Sequence, residues 1–510
     1  MKKALSLLLI PAILLAAVCA SADDSISMRR DGFSTSYSYI YDYWGDVQIS
    51  PDPYRVRMIV DTSTLGAENL ENKPLNRPQG IFARGNDLYI ADTGNNRILQ
   101  LRYSGGDIRL IRIIAEIAGA EPAGFSNPTD VFADDSGNIY VADNGNGRVL
   151  MADRDLNLVS VFGKPTDSSF NTNSNFLPNK ITVDVAGRLY VLAINVNKGV
   201  LKYESDTSFT GYIGATPVKF DLTDYIWKRY FMTREQRAAT ESFVPTEYEN
   251  LYIDERGFIY TTTTYFEEYE LMSDSAKPIR RLNGIGNDIL IKNDRYPPIG
   301  DLEWKEGSIQ YGPSKLTDIT ALKNEIYVAA DKTRGRLFGY DSQGVMLWAF
   351  GTKGGTDGGF NRISGIDHIG YDLFVLDELK NNLTVFTPTE YGQMIYDATD
   401  AYLNGDYDRS AELWESVMKL NANYPLAFRG IGRTLLRQER YREAMGYFER
   451  AHDREDYGRA YRQYRKRWIE ENVIWIVLIL AALLLIPLIL GRIKRAKWEV
   501  IMYEHSKVRK

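Results

Sequence analysis

Thiols are almost absent from this chain of 510 residues: there is one cysteine, Cys19. It lies in MKKALSLLLIPAILLAAVCASADD, where Lys2 and Lys3 precede an apolar stretch and Ala20-Ser21-Ala22 is a small-x-small site. That order reads as a secretory signal peptide, residues 1–22. Cleavage there removes the only thiol and excludes disulfides, a cysteine nucleophile and thiolate metal sites. Histidine is scarce too, with only His368, His452 and His505. These fall in separate regions, which excludes a His-rich zinc centre and leaves a Ser-His-Asp triad only if His368 serves it. His368 sits in an apolar strand pattern and reads as a hydrogen-bonded core residue. Excess positive charge is also missing: 61 Lys and Arg face 67 Asp and Glu, a net charge of −6. Residues 391–472 balance 14 acidic with 14 basic side chains, and residues 491–510 are basic, so the negative excess lies before residue 391. An acidic, exported surface is the wrong sign for nucleic acid.

Long apolar runs are confined to the signal and to VIWIVLILAALLLIPLIL, residues 473–490. At about 1.5 Å per residue these 18 residues reach about 27 Å, close to a hydrocarbon core of about 30 Å. Trp475 and Trp498 sit near its edges. The following segment, 491–510, carries seven Lys and Arg against two Glu and reads as a cytoplasmic tail. With the signal, this predicts a single-pass membrane protein whose residues 23–472 lie outside.

Between the two ends the chain repeats itself. LYIADTGNNRI (88–98) returns as IYVADNGNGRV (139–149). The marker positions Tyr89, Tyr140, Tyr190, Tyr260, Tyr327 and Phe374 are separated by 51, 50, 70, 67 and 47 residues. An apolar strand precedes each marker and one or two follow. Four short strands per unit, six times over, predict a six-bladed β-propeller. The last unit lacks a fourth strand, whereas YRVRMIV (54–60) is a strand with no unit of its own. Its alternation predicts that it completes blade six and removes an open edge. Asp92-Thr93-Gly94-Asn95 and Asp143-Asn144-Gly145-Asn146 read as structural turns, with glycine supplying positive φ. GTKGGTDGGF (351–360) lacks the Lys-Ser/Thr ending of a phosphate loop and reads as a linker. The aromatic run 37–46, within a 23–53 extension, is expected to pack on the propeller's side.

The phrases PQGIFARGNDLYIADTGNNRI (78–98) and NPTDVFADDSGNIYVADNGNGRV (127–149) resemble the NHL repeat family, with weaker copies over 54–388. The resemblance implies a mainly β, six-bladed propeller. It implies no one activity, because relatives include RNA-binding modules, receptor ectodomains and lyases.

Residues 389–471 change period. Tyr407 and Tyr441, Ser410 and Ala444, Trp414 and Phe448, Val417 and Ala451 are each 34 apart. This α-helical module resembles two tetratricopeptide repeats.

Propellers bind at the mouth of the central channel. The expected mouth residues are Gln79, Asp130, Asn179, Glu249, Asn250, Asp318 and Ser364. Asp130, Glu249 and Asp318 are the candidate calcium ligands, since calcium takes several oxygens. Six-bladed lactonases use such a site, so a calcium-dependent lactonase-like hydrolase is the alternative reading. Partner contacts are expected from Tyr225, Trp227 and Tyr230 in the long insertion before blade four, and from Arg429 and Arg433, which share a helical face suited to an acidic peptide. The leading expectation is a non-catalytic binding, scaffold or sensor protein. Propeller–helical-repeat–anchor chains look like accessory components of envelope complexes, transport among them. An envelope protein partner is expected, a small ligand is a second candidate, and calcium is the only cofactor considered.

Overall fold

The computed structural model describes residues 38–507 except 42–46, 167–169, 171–174, 195, 197, 215–247, 267–269, 271–275, 293–296, 302–304, 307–308 and 311–312. The signal peptide and the insertion residues Tyr225, Trp227 and Tyr230 lie outside the described residues.

Six antiparallel sheets form the propeller. The inner strands are Gly80–Arg84, Pro128–Ala133, Pro178–Val183, Asn250–Ile253, Leu316–Ala321 and Ile363–Ile369. Each contacts the inner strand of the next blade, and the last contacts the first. Blades one, two, three and six have four strands; blade four has three among the described residues. Apolar side chains fill the spaces between sheets. Phe82 of blade one meets Phe132 of blade two with ring centroids 4.4 Å apart, and Phe350 of blade five meets Phe386 of blade six at 5.3 Å.

Ring closure follows the expected route. Tyr54–Val60 pairs antiparallel with Asn382–Pro388, with Val60 opposite Leu383 and Val56 opposite Phe386. Val60 and Leu383 are both fully buried, so the strand's apolar face completes the packing of blade six. The aromatic extension does more than lean on the side. Tyr39–Tyr41 adds to the outer strand of blade five, Met346–Phe350, and Val47–Ile49 adds beyond it, giving a six-stranded sheet. Asp301 anchors this addition: it accepts from Tyr39 Oη at 2.5 Å and Tyr41 Oη at 2.6 Å, and pairs with Arg334 at 2.8 Å and Arg336 at 2.6 Å. Burial raises the Asp301 pKa, but Arg336 and the two hydroxyl donors outweigh it and hold the carboxyl below its ordinary range.

The repeated turns are held by a buried ion pair. Arg97 Nε donates to Asp92 at 2.7 Å, and its other nitrogens donate to the Leu70 and Lys73 carbonyls. The other Asp92 oxygen accepts the Asn76 N–H at 2.8 Å. Blade two repeats this with Arg148, Asp143, the Glu121 and Pro122 carbonyls and the Ser126 N–H. In these two blades the motif ties the second and third strands to the loop that enters the blade. The glycine expectation is corrected in one respect. The positive φ falls at Asn96 and Gly147, not at Gly94 or Gly145. Gly94 and Gly145 are there because a Cβ would come within 2.6 Å of Asn76 and 2.3 Å of Ser126, where the incoming loop passes.

The first compact unit ends at Tyr396, inside the helix Glu390–Leu403. The start of that helix belongs to the propeller: Tyr396 stacks on Tyr371 with centroids 4.3 Å apart, and its hydroxyl lies 2.7 Å from that of Tyr54.

The second unit, Asp397–Lys510, is helical. Tyr407–Leu420, Pro425–Arg437 and Tyr441–Arg450 pack in succession, followed by one continuous helix, Arg454–Lys507. Asp406 caps the first through the Arg409 N–H at 3.3 Å. Gly430 and Gly432 let the second approach its neighbours: a Cβ would lie 2.4 Å from Trp414 and 2.6 Å from Phe448. Arg454–Lys507 contains an apolar stretch long enough to cross a membrane, none of it buried against the rest of the chain.

Candidate functional site

The inner strands fix the chemistry of the propeller axis by their register. One column is uniformly aliphatic and buried: Ile81, Val131, Ile181, Leu251, Ile319 and Ile366. Strand side chains alternate between faces, so the residues on either side of this column share the opposite face. These neighbours form two rings. The first is Gly80, Asp130, Lys180, Asn250, Asp318 and Gly365; the second is Phe82, Phe132, Thr182, Tyr252, Thr320 and Asp367. Asp130, Lys180, Asn250, Tyr252, Asp318 and Asp367 line one axial cavity of about 20 Å³. That is room for about one water molecule.

Every carboxylate in the cavity is already engaged. Asp130 accepts the Ile181 N–H of blade three at 2.9 Å. Asp318 accepts the Ile319 N–H at 2.7 Å and the Ile366 N–H of blade six at 2.8 Å, and the Asn250 amide of blade four donates to it. Asp367 accepts the Ala83 N–H of blade one at 2.7 Å and the Thr320 hydroxyl at 3.0 Å. Each carboxylate thus binds the backbone of a neighbouring blade. Gly80 is required by this arrangement, since a Cβ would stand 2.5 Å from the Asp130 carboxylate. Lys180 supplies the positive charge, with Nζ 3.8 Å from Asp130 and 3.5 Å from the Gln79 carbonyl. Burial pushes Asp130 up to about 6 and Asp318 up to about 7, while Lys180 pulls both down. His368 is half-buried and hydrogen-bonded to Thr320 at 2.7 Å, the arrangement expected of a core histidine.

The expected mouth residues fall in two columns. Asp130, Asn250 and Asp318 line the cavity. Gln79, Asn179, Glu249 and Ser364 stand one position earlier, on the other side of the strand's alternation. Asn179 and Ser364 occupy bulges, where the inner strand shifts register against its partner. Ser364 Oγ donates to the Pro78 carbonyl of blade one at 2.8 Å. Glu249 pairs with Lys332. The three candidate calcium ligands are therefore not brought together, and no group of three His, Asp or Glu side chains is placed to hold a metal ion among the described residues. Lys180 and Asp367 were missed as axial residues, although the aliphatic column was a signal that pointed to both.

The two arginines expected to grip an acidic peptide are committed within the helical unit. Arg429 pairs with Asp453 and Arg433 with Asp456, each at 2.7 Å. They fasten Pro425–Arg437 to the start of Arg454–Lys507, which corrects the free-face reading.

The class defined by this fold is a mainly β, six-bladed propeller with a C-terminal helical region that includes one long apolar helix. A profile of the NHL repeat matches residues 125–150, which take in the first two strands of blade two and the beginning of its third. The chain is 26% identical over 150 residues to NHL repeat-containing protein 3 of Homo sapiens and 25% identical over 150 residues to the protein of that name in Mus musculus. Each match covers 27% of this chain and 42% of the relative, so the chain spans less than half the length of these curated relatives. Among solved structures, virginiamycin B lyase from Staphylococcus aureus is similar over 61% of this chain and 95% of that one, with 11% identity and a TM-score of 0.37. Likeness at that level carries nothing about chemistry.

Proposed function

We propose that this chain is a non-catalytic binding or scaffold protein, held in a membrane by the helix around residues 473–490, with the propeller and helical repeats outside and the basic tail inside. Its role is that of an accessory or sensor subunit in an envelope complex, transport complexes included. The observation that carries the reading is the engagement of the axial carboxylates. The carboxylates that line the axial cavity are spent on backbone N–H groups of neighbouring blades rather than left free for a substrate or metal. Binding then falls to the outer surface, where Tyr265 and Ile285 are strongly exposed.

Photo-crosslinking in intact cells tests this, with the full chain carrying a photoreactive residue at Tyr265 or Ile285. A discrete adduct with one membrane-complex protein is the expected result. Impermeant labelling should reach a cysteine placed at Ile285 from outside and one placed at His505 only after permeabilisation. Labelling of both from one side would sink the single-pass arrangement.

A calcium-dependent, lactonase-like hydrolase is the rival, favoured by Asp130 and Asp318 sharing one cavity. It requires a divalent cation where Lys180 already neutralises charge. A melting temperature unchanged by millimolar calcium agrees with the binding reading. A rise abolished by Asp130→Asn together with Asp318→Asn would establish the rival.

A further inference from the structure

We propose that Arg492, Lys494, Arg495 and Lys497 form a cationic collar that gathers anionic phospholipid headgroups around the helix where it leaves the membrane; the inference rests on the single-pass reading. These residues lie on the unbroken helix Arg454–Lys507, directly after the apolar stretch. At about 100° per residue the four cations point in all directions around the helix, with no gap wider than about 140°. They occupy about 8 Å of helix rise, comparable to a headgroup layer. All four positions are exposed. No acidic residue interrupts residues 491–497, and none of the four is ion-paired among the described residues.

The opposite end of the apolar stretch is built differently. There Lys466 pairs with Glu470 at 3.9 Å and Arg467 with Glu471 at 3.2 Å, so the cations nearest the membrane are neutralised within the helix. Arg462 and Arg465 are exposed as well but stand at least eight residues before the apolar stretch, so the unpaired cations that directly border it lie at its C-terminal end. A protein partner docking on a helix meets one face. Charges directed all round it are matched by an annulus of headgroups, and anionic lipid attracts each Lys or Arg at the surface. Trp498 follows the collar and is exposed, an amphipathic ring suited to the same interface.

The test uses the full chain reconstituted in phosphatidylcholine vesicles containing a minority of phosphatidylglycerol. Brominated versions of either lipid quench nearby tryptophan, and the difference between the native chain and Trp498→Phe isolates the Trp498 signal. Brominated phosphatidylglycerol should out-compete brominated phosphatidylcholine at Trp498 by about fivefold or more, roughly what one surface charge supplies. The preference should weaken in high salt. It should vanish in the combined variant R492Q/K494Q/R495Q/K497Q while that variant still resists alkaline carbonate extraction. A native chain that resists extraction but shows no lipid preference, or a preference unchanged in the variant, overturns the collar alone. A native chain extracted by carbonate overturns the single-pass reading and the collar with it.

Discussion

At the scale of single residues, the Asp–Arg pair of each motif and the axial carboxylates act by opposite electrostatics. Asp92 and Arg97 are both buried and fully bonded, so truncating one strands the other. Asp92→Ala should cost about 3–5 kcal/mol, the usual penalty for an uncompensated buried charge. Denaturant unfolding of the propeller would show it as a lowered midpoint. Arg102→Ala, which removes the exposed pair with Asp87, should leave the midpoint unchanged. The axial carboxylates have raised pKa values, about 6 for Asp130 and about 7 for Asp318. An unfolded Asp titrates near 3.9. Between about pH 4 and 7 the folded state therefore holds more protons than the unfolded one, and stability falls as pH rises through that window. The contribution of these groups is fully present below about pH 4. Melting curves across the window should slope downward with pH, and Asp130→Asn with Asp318→Asn should flatten the slope. An unchanged slope would mean that neither group retains its proton in the fold. The acidic pair was legible in the sequence because Asp130 and Asp318 align in the repeat. Lys180 was not recognised because the repeat was aligned by its tyrosines, one strand further on, and inner-strand bulges shift the count by one.

At the scale of elements, the closing strand shows what repetition reveals. Strand 54–60 was identifiable because blade six lacked an outer strand and the chain offered one spare. The strand 39–41 gave no such signal: it has three residues, and its partner lies some 300 positions away in blade five. Its two tyrosine anchors on Asp301 depend on contacts between distant segments that no local pattern encodes. The two strands also differ in how they hold. Val60 packs in the core cluster with Leu376, Leu383 and Val385. Val60→Asp would bury an unpaired carboxylate at the closure. It should open blade six first, seen as faster amide exchange at residues 383–387 while blades two and three keep their protection. Uniform loss of protection would show that the ring unfolds as one unit and that closure has no separate stability.

At the scale of the whole molecule, the repeats were visible because turn chemistry is local, and the helical unit because its offset of 34 residues is regular. The division between the units was less visible. The period changes at residue 389, but the first unit continues to Tyr396. The cause is a contact invisible in a helical pattern: Tyr396 faces Tyr54 and Tyr371, residues of the closing strand and of blade six. Burial raises the pKa of Tyr54 well above its ordinary value, so its hydroxyl stays neutral and able to share a hydrogen bond with Tyr396 at any ordinary pH. Two truncations separate the alternatives. A propeller ending after Leu403 keeps Tyr396 and should melt close to the propeller transition of a chain that also carries the helical unit. One ending after Thr389 loses it, and Tyr54 and Tyr371 would face water. Removing a buried aromatic typically costs about 3–5 kcal/mol, a large share of the roughly 5–15 kcal/mol that holds a domain together. The shorter chain should therefore melt well below the longer one, and Tyr396→Ala in the longer chain should reproduce most of the difference. Equal melting of the two would place the boundary at residue 389 and make the tyrosine cluster incidental.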